Sequence, residues 1–216
     1  MNRRGFTLVE LAIVLVIIGI ILGAVLKGQE VINNAKAKRV LNDLKGLEAL
    51  TWTFYDRYNR LPGDCPVTGP DGYIDSILYS TWSTYNLSSD ASAPPSFCYG
   101  DNYNLSFNDL KYAGLVDKNS SNRFLFKHAF APGAFFIGRL RLPTGQYYNV
   151  IGVNRIPCWV AQSIDTAIDG SAFPGSGRIR FYSGNIISAD STQSWSDICT
   201  TEETIISIAY LFDRAP

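Results

Sequence analysis

The most prominent feature of the sequence is an unbroken apolar stretch close to its start. From Phe6 to Leu26 the chain reads FTLVELAIVLVIIGIILGAVL, with Glu10 as its single charged side chain. As an α-helix this stretch is about 31 Å long, close to the thickness of the hydrocarbon core of a bilayer. The pattern therefore predicts a membrane-spanning helix, and it argues against the alternative of a buried core helix.

The residues near the two ends of the apolar stretch indicate its orientation in the membrane and whether it is cleaved off as a signal. Arg3 and Arg4 precede it, and the positive-inside rule predicts that they stay in the cytoplasm while the rest of the chain is exported. A removable secretory signal is the closest alternative. It would have a shorter apolar core and a clear small-residue cleavage site, and Gly23-Ala24 is a poor match to one.

After Leu26 the pattern becomes amphipathic and continues without a break. Apolar or uncharged side chains recur at steps of three and four, which indicates one face of a helix. The helix should end near Tyr58, because Leu61-Pro62-Gly63 would interrupt it. The predicted buried face consists of Val40, Leu44, Leu47, Thr51, Phe54 and Tyr58.

The rest of the chain, residues 59–216, is predicted to form a globular head. Residues 61–103 are rich in Pro, Gly, Ser, Asp and Tyr and indicate an irregular connection. A short helix is predicted over Ser106–Gly114, with Ser106 as N-cap and Asp109 at the capping-box position. The remaining predicted elements are strands 135–142, 147–153, 178–182, 185–188 and 204–212, and a helix over 157–168 that stops at Gly170. The fold class is therefore α+β, with the long helix packed on an antiparallel sheet.

Charge and histidine content exclude several classes of function. The chain has 19 Lys plus Arg against 19 Asp plus Glu, whereas nucleic-acid binders normally show a basic excess. His128 is the only histidine, so a Ser-His-Asp catalytic site would have to be built around it. No other catalytic pattern is present, and we predict that the protein is not an enzyme.

Four cysteines lie in the exported part of the chain, and an even number there indicates two disulfides. Three pairings are possible. Chain order favours Cys65–Cys98, within the irregular connection, and Cys158–Cys199, near the end of the chain. The absence of a C-x-x-C spacing argues against a zinc site.

The junction between the basic start and the apolar stretch carries a resemblance to a known family. The segment Arg4-Gly5-Phe6-Thr7-Leu8-Val9-Glu10 is similar to the processing site of type IV pilin-like proteins, which include major and minor pilins and type II secretion pseudopilins. The resemblance implies that residues 1–5 are a leader removed after Gly5 by a prepilin peptidase. It also implies N-methylation of Phe6 and pairing of Glu10 with the N-terminal amine of a neighbouring subunit.

Physical chemistry supports a functional role for Glu10. A carboxylate inside a bilayer segment costs about 2.5 kcal/mol or more and normally has a partner. An ammonium group at Phe6 of a neighbour would offset its burial. The alternative is that Glu10 reaches back to the cytoplasmic interface.

Two glycines inside the span add a packing hypothesis. Gly19 and Gly23 form a G-x-x-x-G spacing, which lets membrane helices approach each other closely. Ordinary glycine enrichment in membrane helices is an equally good explanation. Many pilins carry a proline shortly after this point, but here the corresponding stretch is Lys27-Gly28.

The resemblance also implies a set of roles and a location. The first choice is a minor pilin or pilin-like subunit, because the head is longer than a compact major pilin needs. Major pilin and pseudopilin are the alternatives within the family, and a filament-tip adhesion or DNA-uptake module is the alternative outside it. The partners would be other pilin subunits, the prepilin peptidase and the inner-membrane assembly machinery. The chain would lie in the bacterial inner membrane, with a periplasmic head, before it joins a periplasmic or cell-surface filament.

No cofactor is predicted from these residues, and no metal site is assigned. Some relatives hold calcium in the head, and the carboxylate pairs Asp165 with Asp169 and Asp71 with Asp75 are the positions to consider. Neither pair has the alternating-oxygen spacing of a calcium loop, so solvated or helix-end carboxylates are the preferred interpretation.

Overall fold

A single long helix dominates the fold. The computed structural model describes residues 8–65, 71–75, 105–117, 126–130, 132–170, 173–184, 186–190 and 192–213. Helix α1 runs without interruption over Leu8–Tyr58. It ends where Asn59 adopts a left-handed conformation, with φ of 52°, and donates its backbone N–H to the Tyr55 carbonyl. The predicted end of the helix is therefore confirmed.

Among the described residues, five strands form the sheet of the head. They are β1 (Ala134–Arg141), β2 (Tyr147–Pro157), β3 (Ile179–Ser183), β4 (Ile186–Ile187) and β5 (Ile205–Leu211), in the spatial order β1-β2-β5-β3-β4. The neighbouring strands in this order are antiparallel. The predicted hairpin around residues 143–146 is confirmed, although β2 extends four residues beyond its predicted end at Val153.

The sheet curls until its two edges meet. A single parallel pair, Arg141 with Ile186, joins β1 to β4 and closes a small barrel. A bulge between Val153 and Ile156 interrupts the register of β2 and β5, and Arg155 sits in it with a φ of 60°. Because bulges increase local twist and bend the strand, this feature favours closure. The predicted antiparallel sheet is thus confirmed, and the parallel pairing of β1 with β4 is a feature that was not predicted.

The two faces of the curled sheet bury different sets of side chains. The outer face packs on the second half of α1, where Val40, Leu44, Leu47, Thr51 and Phe54 are buried as predicted. Tyr58 was predicted on the same face but is 36% exposed. The inner face holds a second cluster of Phe136, Leu140, Leu142, Tyr148, Val150, Tyr182, Ile187, Ala209 and Leu211.

Short helices complete the head. They are α2 (Leu105–Tyr112), α3 (Cys158–Asp169) and α4 (Trp195–Ile198). Helix α3 ends at Gly170, which has a φ of 74°, as predicted. Helix α4 was not predicted, although Ser194 and Asp197 have capping-box spacing and the Ser194 N–H donates to the Asp197 carboxylate.

The predicted N-cap of α2 is wrong. Ser106 lies inside the helix, is fully buried, and donates its hydroxyl to the Ile137 carbonyl of β1. Asp109 accepts hydrogen bonds from Arg60 and from the Gly63 N–H. Both polar side chains bind groups far away in sequence, and a rule based on local spacing does not detect such partners. Of the predicted irregular connection, residues 61–65 and 71–75 are described and contain no helix or strand.

Candidate functional site

The first half of α1 stands clear of the head. Its large apolar side chains between Leu8 and Leu26 are 46–88% exposed. The most apolar 18-residue window has a mean hydropathy of 3.0, and none of it is buried inside the chain. A core helix of a soluble domain would be covered by its own chain, so this alternative does not fit. The helix is long and apolar enough to cross a membrane.

Glu10 lies in the first described turn of α1, within the apolar segment, and it is exposed. Gly5 and Phe6, the predicted cleavage and methylation residues, lie outside the described residues. Their roles, and the pairing of Glu10 with a neighbouring amine, stay predictions.

The glycine pair of the span has open space around it. A methyl group placed at Gly19 or at Gly23 would have no described atom within 4 Å outside the helix itself. The chain therefore does not use these glycines for its own packing. A close approach by another helix is geometrically open at both.

The comparisons with known proteins bear on this segment. Residues 1–26 match the family model of the prokaryotic N-terminal methylation motif. The chain carries the N-terminal signature of type IV pilins and pseudopilins. No significant match was found among curated proteins or among solved structures. The match covers residues 1–26, and the head is interpreted from its own geometry.

A cluster of polar side chains joins the head to the long helix. Tyr210 of β5 is fully buried and donates its hydroxyl to the Glu48 carboxylate of α1, at 2.9 Å from each oxygen. Lys45 lies one turn away on the same helix and donates to the Tyr210 hydroxyl at 2.6 Å. Arg178 contacts Glu48 at 3.3 Å and lies over the Tyr210 ring, 4.7 Å from its centroid. We call Lys45, Glu48, Arg178 and Tyr210 the helix–sheet clasp.

The protonation state of Tyr210 suits this arrangement. Burial raises the pKa of the Tyr210 phenol, so the hydroxyl keeps its proton and donates it to Glu48. Arg178 also donates to the backbone carbonyls of Leu211 and Phe212 at 3.1 Å. Sequence analysis missed the clasp because Glu48 and Tyr210 are 162 positions apart, and no local pattern relates them.

A second polar link lies where α1 ends. The Arg60 guanidinium binds the fully buried Asp109 carboxylate at 2.6 Å, and Asp109 also accepts the Gly63 N–H at 2.8 Å. Gly63 has a φ of 82°, and a side chain there would meet Ser106 at 2.6 Å. The chain leaving α1 is therefore held against α2, and Gly63 suits this position because it has no Cβ.

One of the two predicted disulfides is present among the described residues. Cys158, the first residue of α3, is bonded to Cys199, the residue that follows α4, with their Cα atoms 6.1 Å apart. This pairing is confirmed. Cys98, the predicted partner of Cys65, lies outside the described residues, so that pairing stays a prediction.

The carboxylates considered for calcium are engaged with the protein itself. Asp165 is fully buried and accepts the indole N–H of Trp195 at 2.9 Å, while Asp169 accepts the backbone N–H groups of Arg178 and Ile179. In the other pair, Asp75 accepts the Cys65 N–H and lies 3.3 Å from Arg139. Over the described ranges, no group of three or more His, Cys, Asp or Glu side chains is placed to hold a metal ion.

Burial alters the acidity of Asp165. Removal from water, and to a smaller extent the nearby Asp169 carboxylate, raise the pKa of Asp165 to about 7. Asp165 joins α3 to α4 through the Trp195 indole, and Asp169 of the same helix binds the start of β3. This carboxyl group therefore serves the packing of the head.

His128 is enclosed by backbone groups. Its Nε2 atom lies 2.7 Å from the Asn154 carbonyl, and its Nδ1 atom accepts the Phe130 N–H at 3.1 Å. Because Nδ1 acts as an acceptor, the ring is neutral with its proton on Nε2. Burial lowers the pKa of His128. Both ring nitrogens thus have backbone partners, and the ring is not placed to activate a serine.

Proposed function

We propose that this chain is a structural subunit of a type IV pilus-like filament, with the role of a minor pilin or pilin-like protein. A prepilin peptidase would cut after Gly5, and Phe6 would become the methylated N-terminus. The processed subunit would then polymerise through α1. This role is structural and requires no catalytic group or cofactor.

The observation that carries the proposal is the uncovered first half of α1. None of its most apolar window is buried by the chain, and the methylation motif stands directly in front of it. Burial of apolar surface contributes about 25 cal/mol per Å², so such a helix requires a bilayer or other helices around it. A filament subunit uses both environments in turn.

The remaining features of the chain agree with this role. Arg3 and Arg4 would hold the start of α1 on the cytoplasmic side, with the head in the periplasm. The helix–sheet clasp and the Arg60–Asp109 pair join the head to the upper part of the same helix. Force applied to a subunit in a filament would therefore pass from α1 to the sheet through these polar contacts. The partners we propose are other pilin subunits, the prepilin peptidase and the inner-membrane assembly machinery.

The first test is mass spectrometry of filaments sheared from cells, together with the membrane fraction. We expect a chain that begins at methylated Phe6 and is a minor component of the filaments. A chain that dominates the filaments would be a major pilin. A processed chain found in membranes and absent from the sheared fibres would be a pseudopilin. A chain that retains residues 1–5 in all fractions would contradict the proposal.

The second test is the Glu10→Ala variant. We expect it to insert into the membrane and to be processed, but to be incorporated into filaments at a strongly reduced level. Glu30→Ala is a matched control, because Glu30 is an exposed carboxylate on the same helix that pairs with Lys27 outside the apolar stretch. Equal incorporation of both variants would contradict the role of Glu10 in assembly.

A further inference from the structure

A cavity of about 320 Å³ lies beside the last two turns of α1. Trp52, Tyr55 and Asn59 of the helix form one wall of it, which we call the helical wall. The rings of Trp52 and Tyr55 are nearly perpendicular, at 79°, and the two residues are 36% and 39% exposed. They therefore form an aromatic corner that can be reached from outside the subunit.

The charged part of the lining is negative overall. It consists of Arg60, Asp64 and Asp213. The Arg60 guanidinium binds Asp109, which lies outside the lining, at 2.6 Å, so its charge is already matched. Asp64 and Asp213 are held by neutral N–H donors of the protein, which orient the two carboxylates without cancelling their charge. The cavity therefore favours a cation.

The acidity of Asp64 reflects the same negative surroundings. Burial raises the pKa of Asp64, and the nearby carboxylates of Asp71 and Asp75 raise it further, against the lowering effect of the backbone N–H groups that it accepts. A cation bound beside Asp64 would favour its charged form. Ionisation of this carboxyl group and binding of a cation would thus support each other.

The remaining lining indicates the kind of cation. In the part of the chain that the structure describes, no three His, Cys, Asp or Glu side chains are grouped as metal ligands, and hard metal ions require several oxygen ligands. An organic cation also uses the aromatic rings, because cationic groups are attracted to ring faces. A guanidinium stacks flat on an aromatic ring while its N–H edge binds a carboxylate through two hydrogen bonds. An arginine side chain therefore suits this cavity.

The chain itself carries an exposed arginine lower on the same helix. The side chain of Arg39 is 75% exposed, and its Nε atom lies 3.7 Å from the Asp43 carboxylate one turn away. Exposed ion pairs of this type contribute little to stability. The Arg39 guanidinium is therefore accessible to a carboxylate of another molecule.

Arg39 and the cavity lie on opposite sides of α1. With about 100° of rotation per residue, Arg39 is about 140–160° around the helix axis from each residue of the helical wall. It is also 16 residues before Tyr55, which corresponds to about 24 Å along the axis. Lys38, the neighbouring exposed cation, is only about 40–100° from the helical wall. Arg39 is thus the cation that faces away from the cavity of its own chain.

This arrangement fits contacts between successive copies of the chain. Complementary groups on opposite sides of one molecule make a contact that does not close on itself, and repetition of such a contact gives an open helical filament. Where two α1 helices run parallel, a neighbour shifted outward by about 24 Å brings its Arg39 to the level of the cavity.

We propose that the cavity between Trp52, Tyr55, Asp64 and Asp213 binds the Arg39 guanidinium of a second copy of this chain. The guanidinium would lie in the aromatic corner, with its N–H groups on the carboxylates. This contact is a specific subunit interface for the polymerisation proposed above, and it rests on that proposed function.

The test is photo-crosslinking in cells that express the full chain with a benzophenone amino acid in place of Tyr55. Ultraviolet light links this side chain to groups in direct contact, and mass spectrometry of the peptides identifies them. We expect a link to residues 36–43. Within one chain Arg39 lies about 24 Å away on the other side of the helix, so such a link joins two copies.

Two variants test the role of the guanidinium. Arg39→Gln removes the charge, and we expect at least a fivefold lower yield of the link per copy in the assembled fraction. Lys38→Gln is the matched control, because it removes the adjacent exposed cation, and the yield should not change. Loss of the Arg39 variant alone from the assembled fraction would also support the contact. Formation of the Cys158–Cys199 disulfide shows that the head of each variant has folded.

Two results would overturn the proposal. One is that position 55 links only to other segments of this chain or to a different protein, and the other is an equal yield in the Arg39 and Lys38 variants. If the chain is nevertheless processed after Gly5 and found in filaments, the filament role stands without this contact. A chain that retains residues 1–5 in all fractions would contradict the filament role and this contact with it.

Discussion

The Tyr210 hydroxyl lies 2.9 Å from both carboxylate oxygens of Glu48 and joins strand β5 of the head to the C-terminal quarter of the long helix. Lys45 and Arg178 approach the same pair from two sides. The pair therefore links the sheet of the head directly to the long helix.

The clasp can be tested with Tyr210→Phe. The variant keeps the buried ring but leaves Glu48 and Lys45 without the hydroxyl, and we expect a loss of about 1–3 kcal/mol in the free energy of unfolding. Denaturant unfolding in micelles, followed by circular dichroism, would measure it. Tyr147→Phe is the control, since that tyrosine is exposed on β2. A double-mutant cycle with Glu48→Gln should give a coupling energy above about 0.5 kcal/mol, and additive effects would contradict the pairing.

The Cys158–Cys199 disulfide closes a segment with a sequence separation of 41 residues. Replacing both cysteines with serine should destabilise the head by about 2–4 kcal/mol, because the unfolded chain regains conformational freedom. The measurement is the shift in denaturation midpoint, with peptide mapping under non-reducing conditions to identify the linked peptides. Recovery of Cys158 linked to Cys65 or Cys98 would show that this pairing is wrong.

Asp165 makes the stability of the head depend on pH. Its folded pKa of about 7 lies above the ordinary value of 3.8, so the folded state binds more protons than the unfolded state between these values. Stability should therefore fall as the pH rises from about 4 to about 7. Asp165→Asn keeps an acceptor for the Trp195 indole and cannot ionise, and we expect it to remove most of this slope.

The control for Asp165 is Asp190→Asn. Asp190 is exposed, and the hydroxyl and backbone N–H of Thr192 lower its pKa, so its replacement should not change the slope in this range. Unfolding midpoints measured at pH 5, 6, 7 and 8 for both variants would separate the two cases. An unchanged slope in Asp165→Asn would show that another group is responsible.

His128 should make the folded protein less stable as the pH falls, which is the opposite of the effect of Asp165. Its folded pKa is below the ordinary value of 6.5, because burial disfavours the charged ring. Below pH 6.5 the unfolded chain gains a proton that the folded chain does not, so stability should decrease as the pH falls. Since the chain has a single histidine, NMR of the ring carbons would follow one unambiguous titration. A midpoint at or above 6.5 in the folded protein would contradict the enclosed, neutral ring.

The differences between sequence and structure share one physical cause. Ser106 and Asp109 have the spacing of a helix cap, yet they bind Ile137 and the Arg60–Gly63 segment, because a buried polar group takes whichever partner the fold supplies. The parallel contact of Arg141 with Ile186 closes the barrel and depends on the accumulated twist of the whole sheet. Neither feature can be predicted from the local pattern of apolar and polar residues in the sequence.

The sequence alone determined the long apolar helix and its end at Tyr58, the methylation motif, the main strands and the stop of α3 at Gly170, and its chain order favoured the pairing of Cys158 with Cys199. These features depend on neighbouring residues or on chain order, and on the period of a helix or strand. Only the tertiary structure decided the helix–sheet clasp, the burial of Asp165 beside Trp195, and the cavity between Trp52 and Asp213. Each of these features joins residues that are far apart in the chain. Their contacts stabilise the protein only after folding has brought the side chains together and removed them from water.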